Sequence, residues 1–307
     1  MRSINEIITH FGNNHYLLTI MILSIVTITY NNLSGLHKTF DSLSSWLSER
    51  DNNHWFEWIV IDGGSKDGSV EFLNRHNHLI DYWVSEPDKG VYNAMNKGIK
   101  ASKGDYLWFL NAGDCKVESL SAEDLQGCLR EGSKIIYGDI FEEDCNGNRH
   151  LLKQTDSLSV DHFIGGHLSH QSMFISRDLF STTLYDESFR IAADHDFVIK
   201  KLFLEHCTYK HVPIAVAVYE SFGMSAQQYY SLTRPELRRA VSQALDGGEY
   251  WYDSILMRRE LDDEVLFNHM QYLTSAKRLR GVICKLLSLI ISCYQWCKNA
   301  ERKIRNN

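Results

Sequence analysis

The chain has 307 residues, of which 44% are hydrophobic and 23% charged, and its formal net charge at pH 7 is -7. This composition is ordinary for a globular protein, and it excludes a wholly disordered chain, a collagen and a polytopic membrane protein. The length allows one large domain or two modest ones, with a sizeable hydrophobic core.

The charge is unevenly distributed along the chain. Residues 277–305 contain eight Lys and Arg residues and one Glu, a net charge of +7, which leaves -14 for the rest of the chain. This division predicts an acidic globule with a basic end that seeks a surface. It disfavours a nucleic-acid-binding protein, because the basic residues cluster with apolar ones at this end while the body is acidic.

The cysteines and the N-terminus indicate a compartment. Seven Cys residues form no regular framework, and residues 1–18 lack the continuous apolar region of a signal sequence. An odd number of Cys residues without a signal peptide predicts reduced, cytoplasmic thiols. We therefore expect the chemistry to take place inside the cell.

Strands and helices alternate through the first part of the chain. Apolar runs and turn residues predict strands and helices in the order 20–29, 33–47, 58–61, 69–74, 82–85, 91–101 and 105–110, beginning and ending with a strand. This alternation predicts a doubly wound, Rossmann-like, mostly parallel sheet flanked by helices. Ligands bind beyond the carboxyl ends of such strands. Three of these ends carry polar clusters, which predicts one common site formed by 29–32, 62–65 and 111–114.

The second part of the chain has a less regular pattern. It predicts strands and then a helix at 134–141, 170–176 and 192–204, followed by mainly helical sequence after residue 225, including 261–272. We therefore divide the chain into an N-terminal extension, an α/β domain and a helical C-terminal extension that ends in a basic amphipathic tail: 1–20, 21–225 and 226–307, with the tail at 277–305.

The segment 62–69 (DGGSKDGS) follows the second predicted strand. Its glycines let backbone amides approach a ligand, and the Asp62 carboxylate can accept hydrogen bonds from a base or a ribose. The alternative is a strand-to-helix turn in which Asp67 or Ser69 caps the next helix. Neither the dinucleotide-binding GxGxxG pattern nor the phosphate-binding GxxxxGK[ST] pattern occurs in the chain.

The segment 111–114 (NAGD) follows the buried strand that ends at residue 110. A carboxylate in this position, here Asp114, is well placed to hold Mg²⁺ or Mn²⁺ together with phosphate oxygens and water. The alternative is a plain turn in which Gly113 supplies backbone freedom and Asp114 acts as a cap.

Two carboxylates and a histidine lie at the start of the helix predicted at 192–204. Asp194 has the chemistry of a general base. The alternative is that Asp194 caps the helix while His195 and Asp196 lie on a solvated face. His170 precedes a predicted strand, and it is either a site residue or a hydrogen-bonded structural histidine.

Taken together, these segments resemble glycosyltransferase family 2, and within it the colanic-acid, exopolysaccharide and O-antigen group of bacterial enzymes. The resemblance covers roughly residues 23–223 and rests on an ordered set of motifs: 24–31 (SIVTITYN), 61–69 (IDGGSKDGS), 85–98 (SEPDKGVYNAMNKG), 110–114 (LNAGD), 170–171 (HQ) and 193–196 (ADHD). It implies a GT-A fold and an inverting transfer from a nucleotide-activated sugar, assisted by Mn²⁺ or Mg²⁺.

The resemblance also implies roles for individual residues. Asp194 matches the catalytic base and Asp114 the metal-holding acid, and His170 matches a residue near the donor or acceptor. The remaining nucleotide-sugar-binding positions are Thr29, Tyr30, Asp62, Gly90, Asn96 and Gly113. Two departures from the family pattern stand out, because Gly63 and Gly113 occupy positions where an acid is common.

The donor implied by the family is a UDP-hexose, with GDP-, dTDP- and CDP-sugars as alternatives. The acceptor implied is a polyprenyl-diphosphate-linked saccharide at the cytoplasmic face of the inner membrane, in the biosynthesis of O-antigen, capsule or exopolysaccharide. Two other functions stay open: a nucleotidyltransferase or nucleotide-sugar-modifying enzyme, and a non-catalytic nucleotide-sugar-binding partner of a polysaccharide assembly complex.

The basic tail fits such an acceptor. Its 17 residues at 281–297 are mainly apolar and are flanked by basic residues on both sides. As a helix they would reach only about 25 Å, which is short of a membrane span. We therefore expect an interfacial helix on the anionic inner surface of the membrane, and a peripheral cytoplasmic protein. The alternative is a terminal helix packed on the catalytic domain.

Overall fold

The computed structural model describes residues 21–49, 54–164, 168–221, 229–245, 247, 248, 252, 253 and 255. The chain divides into two compact units, Met1–Tyr252 and Asp253–Asn307. All helices and strands named below lie in the first unit. The first unit extends past residue 225 and includes a helix after this position. The boundary between an α/β domain and a helical extension at 225–226 stays a prediction.

Seven elements alternate in the first half of this unit, as the sequence predicts. They are β1 (Leu23–Thr29), α1 (Leu33–Glu49), β2 (Phe56–Asp62), α2 (Ser69–Arg75), β3 (Tyr82–Ser85), α3 (Val91–Ala101) and β4 (Tyr106–Phe109). Every residue of β1 and β2 is buried, as expected for parallel strands covered on both faces. Helix α3 approaches β1 closely at Gly98, where a Cβ atom would lie 2.4 Å from Val26 Cγ1.

The second half contains more strands than helices. Its elements are β5 (Cys115–Lys116), α4 (Ala122–Leu129), β6 (Ile135–Glu143), β7 (Arg149–Leu152), α5 (Val160–Ile164), β8 (Met173–Ser176), α6 (Ala193–Phe203), β9 (Tyr209–Glu220) and α7 (Arg234–Ala244). The strand predicted at 170–176 is wrong in its first three residues. They form a 3₁₀ turn, in which the backbone N–H and the hydroxyl of Ser172 both donate to Ser169 O.

Nine strands of the described residues form one sheet, in the order β3-β2-β1-β4-β8-β6-β9-β5, with β7 paired to β6. Strands β1 to β4 are parallel to one another, which confirms the prediction for this half of the sheet. Strand β8 runs antiparallel to both β4 and β6. Because of this reversal, the amino end of β8 lies at the same edge of the sheet as the carboxyl ends of β1, β2 and β4.

Two buried tryptophans connect neighbouring elements of the sheet through their indole N–H groups. Trp58 on β2 donates its indole N–H to Thr27 Oγ1 at 3.0 Å, and Trp108 on β4 donates to Gln171 O at 2.7 Å. A buried indole N–H needs an acceptor, so the second bond fixes the turn before β8 against β4. Residues His170 and Gln171 are thereby held beside the carboxyl end of β4.

Several predicted features lie outside the described residues. These are the N-terminal extension (1–20), the helix at 261–272 and the basic tail (277–305). None of the helices in the described part of the chain has both the length and the apolar character that a membrane crossing requires.

Candidate active site

The three polar strand ends predicted from the sequence meet at one edge of the sheet. Thr29 at the end of β1 pairs in register with Asp62 at the end of β2. The loop after β4 joins them from the other side of β1, because Ala112 N donates to Ile28 O at 3.0 Å. Side chains from three different strands therefore surround the carboxyl end of β1.

Asp62 is fully buried, and its two carboxylate oxygens have different surroundings. Oδ2 accepts hydrogen bonds from Gly64 N, Ser65 N and Ser85 Oγ, at 3.1, 2.9 and 2.6 Å. Oδ1 is buried without a partner among the described residues, and the same holds for Thr29 Oγ1 on the neighbouring strand. Buried polar atoms without a partner cost about 1–3 kcal/mol each, so this adjacent pair indicates a place where a polar ligand completes the hydrogen bonding.

The second half of the glycine-rich segment forms the strand-to-helix turn of the alternative interpretation, although the N-cap residue of α2 is Gly68 rather than Asp67 or Ser69. Asp67 Oδ1 accepts from Ser69 N at 3.1 Å and from Ser69 Oγ at 2.7 Å, and Asp67 Oδ2 accepts from Leu33 N at 2.7 Å. Asp67 thus fixes the first residue of α1 and the first residue of α2. The segment therefore combines a candidate ligand carboxylate at Asp62 with a structural one at Asp67.

Gly63 lies under two side chains at the mouth of this site. A Cβ atom at position 63 would be 3.1 Å from the ring of Tyr30 and 3.3 Å from Asp88 Oδ2. Tyr30 itself is 66% exposed, so its ring is free to pack on a ligand. Asp88 is held by an ion pair with Lys97 at 2.6 Å. A carboxylate from another segment thus lies beside the position where family members commonly have a second acid.

The two predicted residues of the segment at 85–98 lie in different surroundings. Gly90 precedes α3 with a φ of 134°, a backbone conformation that favours glycine. Asn96 is buried within α3, and its side chain is fully engaged by the segment at 185–187. Its Nδ2 donates to Tyr185 O and Glu187 Oε1, and its Oδ1 accepts from Tyr185 N. Asn96 therefore orders that segment through its own hydrogen bonds.

Asp114 is a buried carboxylate in the loop after β4. Its Oδ2 accepts from Asn111 N at 3.0 Å and from Gln171 Nε2 at 3.1 Å. Burial raises the pKa of Asp114 to about 6, although the nearby His170 and these hydrogen bonds act in the opposite direction. The adjacent Gly113 has a φ of 112° and donates its N–H to Thr39 Oγ1 on α1 at 3.0 Å, which fixes the loop.

Asp194 lies at the centre of a second buried cluster. Its Oδ1 accepts from Tyr92 OH at 2.8 Å and from His195 N at 3.0 Å, and its Oδ2 lies 3.1 Å from His170 Nδ1. Burial tends to raise the pKa of Asp194, but His195 and His170 outweigh it and hold this pKa well below its ordinary value. Asp194 is therefore an ionised carboxylate at neutral pH.

The alternative interpretation of the start of α6 is wrong. Ala192 is the N-cap residue, and it makes no side-chain capping bond, so Asp194 does not cap the helix. Asp196 does not lie on a solvated face, because it is 3% exposed and pairs with Lys200 at 2.7 Å. Burial raises the pKa of Asp196 despite this lysine.

His170 connects the two predicted acids. Its Nε2 lies 3.0 Å from Asn111 Nδ2, and the backbone N–H of Asn111 donates to Asp114. With the amide as donor to Nε2, the proton of a neutral His170 sits on Nδ1 and is donated to Asp194. Burial disfavours the imidazolium, but Asp194 and Asp114 outweigh it and raise the pKa of His170. A hydrogen-bonded chain thus runs from Asp114 through Asn111 and His170 to Asp194.

The described residues do not form a preformed metal site. No three His, Cys, Asp or Glu side chains converge as a preformed metal site within the described ranges. Asp114 offers one buried carboxylate, and burial raises its pKa because the charged form is poorly solvated there. A divalent cation would compensate this charge, and Mg²⁺ or Mn²⁺ is commonly held by one or two carboxylates with substrate phosphates and water.

The structure shows contacts of three further residues that had no predicted role. Asn111, Gln171 and Tyr92 lie inside the recognised motifs, but only their contacts with Asp114, His170 and Asp194 reveal what they do. Tyr92 and Asp194 are 102 residues apart in the chain. No sequence pattern marks a pair so far apart, so a structure is needed to find it.

Comparisons with known proteins give a consistent result. The profile of the family described as Glycosyl transferase family 2 matches residues 24–203. An uncharacterized glycosyltransferase of Mycobacterium tuberculosis is 31% identical over 224 residues, which cover 71% of this chain and 82% of that protein. A PGL/p-HBAD biosynthesis glycosyltransferase of the same organism is 28% identical over 211 residues, which cover 66% of this chain and 78% of that protein.

Solved structures share the fold. The crystal structure of S. aureus TarS 1-349 in complex with UDP superposes with a TM-score of 0.57 at 18% sequence identity, covering 79% of this chain and 72% of that one. The structure of the same protein in complex with UDP-GlcNAc gives a TM-score of 0.57 at 18% identity, covering 77% of this chain and 70% of that one.

Proposed function

The chain belongs to glycosyltransferase family 2, and from this premise we propose that it transfers a sugar from a UDP-sugar to a hydroxyl group with inversion at the anomeric carbon. The nucleotidyltransferase alternative is disfavoured by this membership. The observation that carries the proposal is the hydrogen-bonded chain from Asp114 through Asn111 and His170 to Asp194. It joins a carboxylate suited to a cation with an ionised carboxylate suited to accept a proton.

The nucleotide would bind at the ends of β1 and β2. Thr29 Oγ1 and Asp62 Oδ1 are adjacent buried atoms that lack partners in the described part of the chain. A nucleobase and a ribose carry the donors and acceptors that these atoms need. The exposed ring of Tyr30 supplies a face on which a base can stack. Two structural neighbours were solved with UDP or UDP-GlcNAc, which supports UDP as the nucleotide of the donor.

Asp114 would hold Mn²⁺ or Mg²⁺ together with the diphosphate of the donor. The fit rests on the raised pKa of this buried carboxylate and on its place beside the nucleotide end of the site. When bound, the cation stabilises the negative charge that develops on the departing nucleoside diphosphate. Asn111 and Gln171 orient the carboxylate through its Oδ2 atom.

Asp194 would act as the general base. It is ionised, and Oδ2 accepts a single hydrogen bond among the described residues, from His170. A carboxylate oxygen has two lone pairs, so one remains for the hydroxyl of the acceptor. The acceptor oxygen would attack the anomeric carbon opposite to the departing diphosphate while Asp194 takes its proton. A single displacement of this kind inverts the configuration, as it does in inverting glycosidases.

The acceptor would be a saccharide on a polyprenyl diphosphate, in the biosynthesis of a bacterial surface polysaccharide. The sequence of the basic tail (277–305) supports this part of the proposal, because its cations and apolar residues suit an anionic membrane surface. Flotation of the full chain with vesicles tests it. We expect binding to vesicles containing phosphatidylglycerol and little binding to phosphatidylcholine vesicles, and equal recovery with both would contradict it.

A thermal-shift screen of nucleoside diphosphates with Mn²⁺ tests the donor assignment. Ligands that bind only the folded state raise Tm with occupancy, so UDP should raise it more than GDP, dTDP or CDP. Asp114→Ala should remove the Mn²⁺-dependent part of the shift. Asp41→Asn, which changes an exposed carboxylate on α1, is the matched control and should behave as wild type. The absence of any UDP shift in the wild type would contradict the assignment, and a UDP shift without turnover of any UDP-sugar would favour a non-catalytic partner.

A further inference from the structure

A buried glutamate on α7 contacts the turn that leads into the helix of Asp194. Glu236 is 8% exposed, and its carboxylate accepts three hydrogen bonds from consecutive backbone amides. Arg190 N donates to Oε1 at 2.8 Å, while Ile191 N and Ala192 N donate to Oε2 at 2.8 and 3.0 Å. Glu236 makes no ion pair with any residue of the described ranges, so these three amides are what compensates its charge.

The last of these amides belongs to the N-cap residue of α6, and the other two lie just before it. Ala192 is the N-cap residue of α6 and its side chain has no capping atom, while Asp194 is the second residue of the helix. The amino end of a helix carries unpaired N–H groups and a partial positive charge, and both favour a carboxylate. Glu236 supplies that carboxylate from a distant part of the sequence, at the point where α6 begins.

The same turn is held from its other side by Tyr92. The single proton of the Tyr92 hydroxyl faces two acceptors, Ile191 O and Asp194 Oδ1, and the hydroxyl contacts both. Ile191 is therefore fixed through its N–H by Glu236 and through its C=O by Tyr92. A change in the position of this turn would move Asp194, because only two residues separate it from Ile191.

A second residue of α7 contacts the segment just before this turn. The guanidinium of Arg239 lies 4.0 Å from the centre of the Phe189 ring, and its Nη2 donates to Ser188 Oγ at 2.7 Å. Helix α7 thus contacts residues 188–192 through both a cation and an anion. These contacts are made to the segment that precedes α6, and α7 lies beyond the part of the chain, 24–203, that the family profile matches.

We propose that Glu236 is a positioning residue for the transfer reaction: it fixes the turn at 190–192 and thereby sets the place of the Asp194 carboxylate. This proposal rests on the proposed role of Asp194 as general base. It assigns to the C-terminal helix α7 a part in catalysis that does not involve contact with the substrate. A displacement of about 1 Å at a catalytic group can lower a rate by about 100-fold, so the effect is measurable.

The variants differ in what they leave at the turn. Glu236→Gln keeps the shape of the side chain, but one of its two acceptors becomes an N–H₂ group that faces backbone N–H donors. Glu236→Asp keeps the charge with a shorter reach and is the conservative variant. Val241→Ala removes two methyl groups at another buried position of α7, so it is the matched control for loss of stability.

Steady-state kinetics of the full chain with a UDP-sugar test the proposal, with Tm and the UDP-induced thermal shift measured on the same samples. We expect Glu236→Gln to lower kcat by about 10- to 100-fold, with the donor KM and the UDP shift within about twofold of wild type. Glu236→Asp should recover part of kcat. Val241→Ala should lower Tm and keep the kcat of wild type. Wild-type kcat in Glu236→Gln, or an equal loss of kcat in Val241→Ala, would overturn the proposal.

A double variant separates this proposal from the assignment of Asp194. If Glu236 acts through Asp194, adding Glu236→Gln to Asp194→Asn should lower kcat little further, because the group it positions is already gone. Multiplied losses in the double variant would overturn the positioning role while leaving the base intact. High activity of Asp194→Asn alone would instead refute the proposed base.

Discussion

From the buried carboxylate of Asp114 we predict how the stability of the folded chain depends on pH. Burial raises the pKa of this carboxyl from 3.8 to about 6 in the folded chain. At 1.36 kcal/mol per pH unit, the shift corresponds to about 3 kcal/mol. Because the folded-state pKa is the higher one, the stability associated with the protonated form is fully present below about pH 3.8 and is lost as the pH rises through 6. At pH 8 without metal, the native state therefore carries the full cost of a buried charge.

Asp114→Asn removes this cost and keeps the shape of the side chain. Its amide oxygen still accepts from Asn111 N and Gln171 Nε2, while the new N–H₂ group needs a partner of its own, which reduces the gain. We expect the variant without metal to be more stable than wild type by about 1–3 kcal/mol at pH 8, and by about 1 kcal/mol less than that at pH 5. For a domain of this size, this corresponds to a rise in Tm of several degrees.

The assay is thermal denaturation in the presence of a chelator at pH 5, 6.5 and 8, with wild type, Asp114→Asn and the exposed control Asp41→Asn. The difference between Asp114→Asn and wild type should grow with pH, whereas Asp41→Asn should follow wild type throughout. Addition of Mn²⁺ in the presence of UDP should further stabilise wild type and not Asp114→Asn. A variant less stable than wild type at pH 8, or a difference independent of pH, would refute the reasoning.

Three further substitutions test the surroundings of the site. Tyr92→Phe removes the hydroxyl that joins Ile191 O to Asp194 and should lower kcat by about tenfold at unchanged donor KM, as measured by steady-state kinetics; an unchanged kcat would contradict the role of Tyr92. Gly63→Ala places a Cβ atom 3.1 Å from the exposed Tyr30 ring. It should raise donor KM several-fold with little change in Tm, since the ring can move. Gly90→Ala, at a φ of 134°, should instead lower the free energy of unfolding by about 1 kcal/mol in urea denaturation.

The elements with local causes could be predicted from the sequence. The bounds predicted for β3 and α3 agree with the structure, because turn residues and glycine border these short apolar runs. The parallel half of the sheet followed from the alternation of strands and helices. The antiparallel course of β8 did not, because direction depends on which strand it pairs with, and Trp108 on β4 holds the preceding turn through a bond to Gln171 that spans 63 residues.

The candidate site was predicted in its residue types more than in its connections. Asp114, His170 and Asp194 were selected individually, and the structure joins them through Asn111. Asn96 was assigned to the nucleotide site from the resemblance, whereas its buried amide is bonded to the segment at 185–187. Hydrogen bonds of this kind depend on tertiary contacts, and they produce no periodic pattern in the sequence.

Glu236 is another residue whose contacts could not be predicted from the sequence. In the sequence it is one acid at the start of a helix after Pro235, and acids are common there because of the helix dipole. Only the packing of α7 against α6 brings it to the amides before Asp194. Long-range polar contacts of this kind can be identified from a structure and not from spacing.

In the proposed function, the chain transfers a sugar from a UDP-sugar with Asp194 as the base. The most direct test compares wild type and Asp194→Asn in UDP release from UDP-hexoses with Mn²⁺, using bacterial membrane lipid extract as the acceptor and UDP-induced thermal shift as the measure of binding. We predict lipid-dependent UDP release by wild type, a loss of at least about 100-fold in Asp194→Asn, and equal UDP shifts in both. Wild-type turnover by Asp194→Asn would contradict the claim.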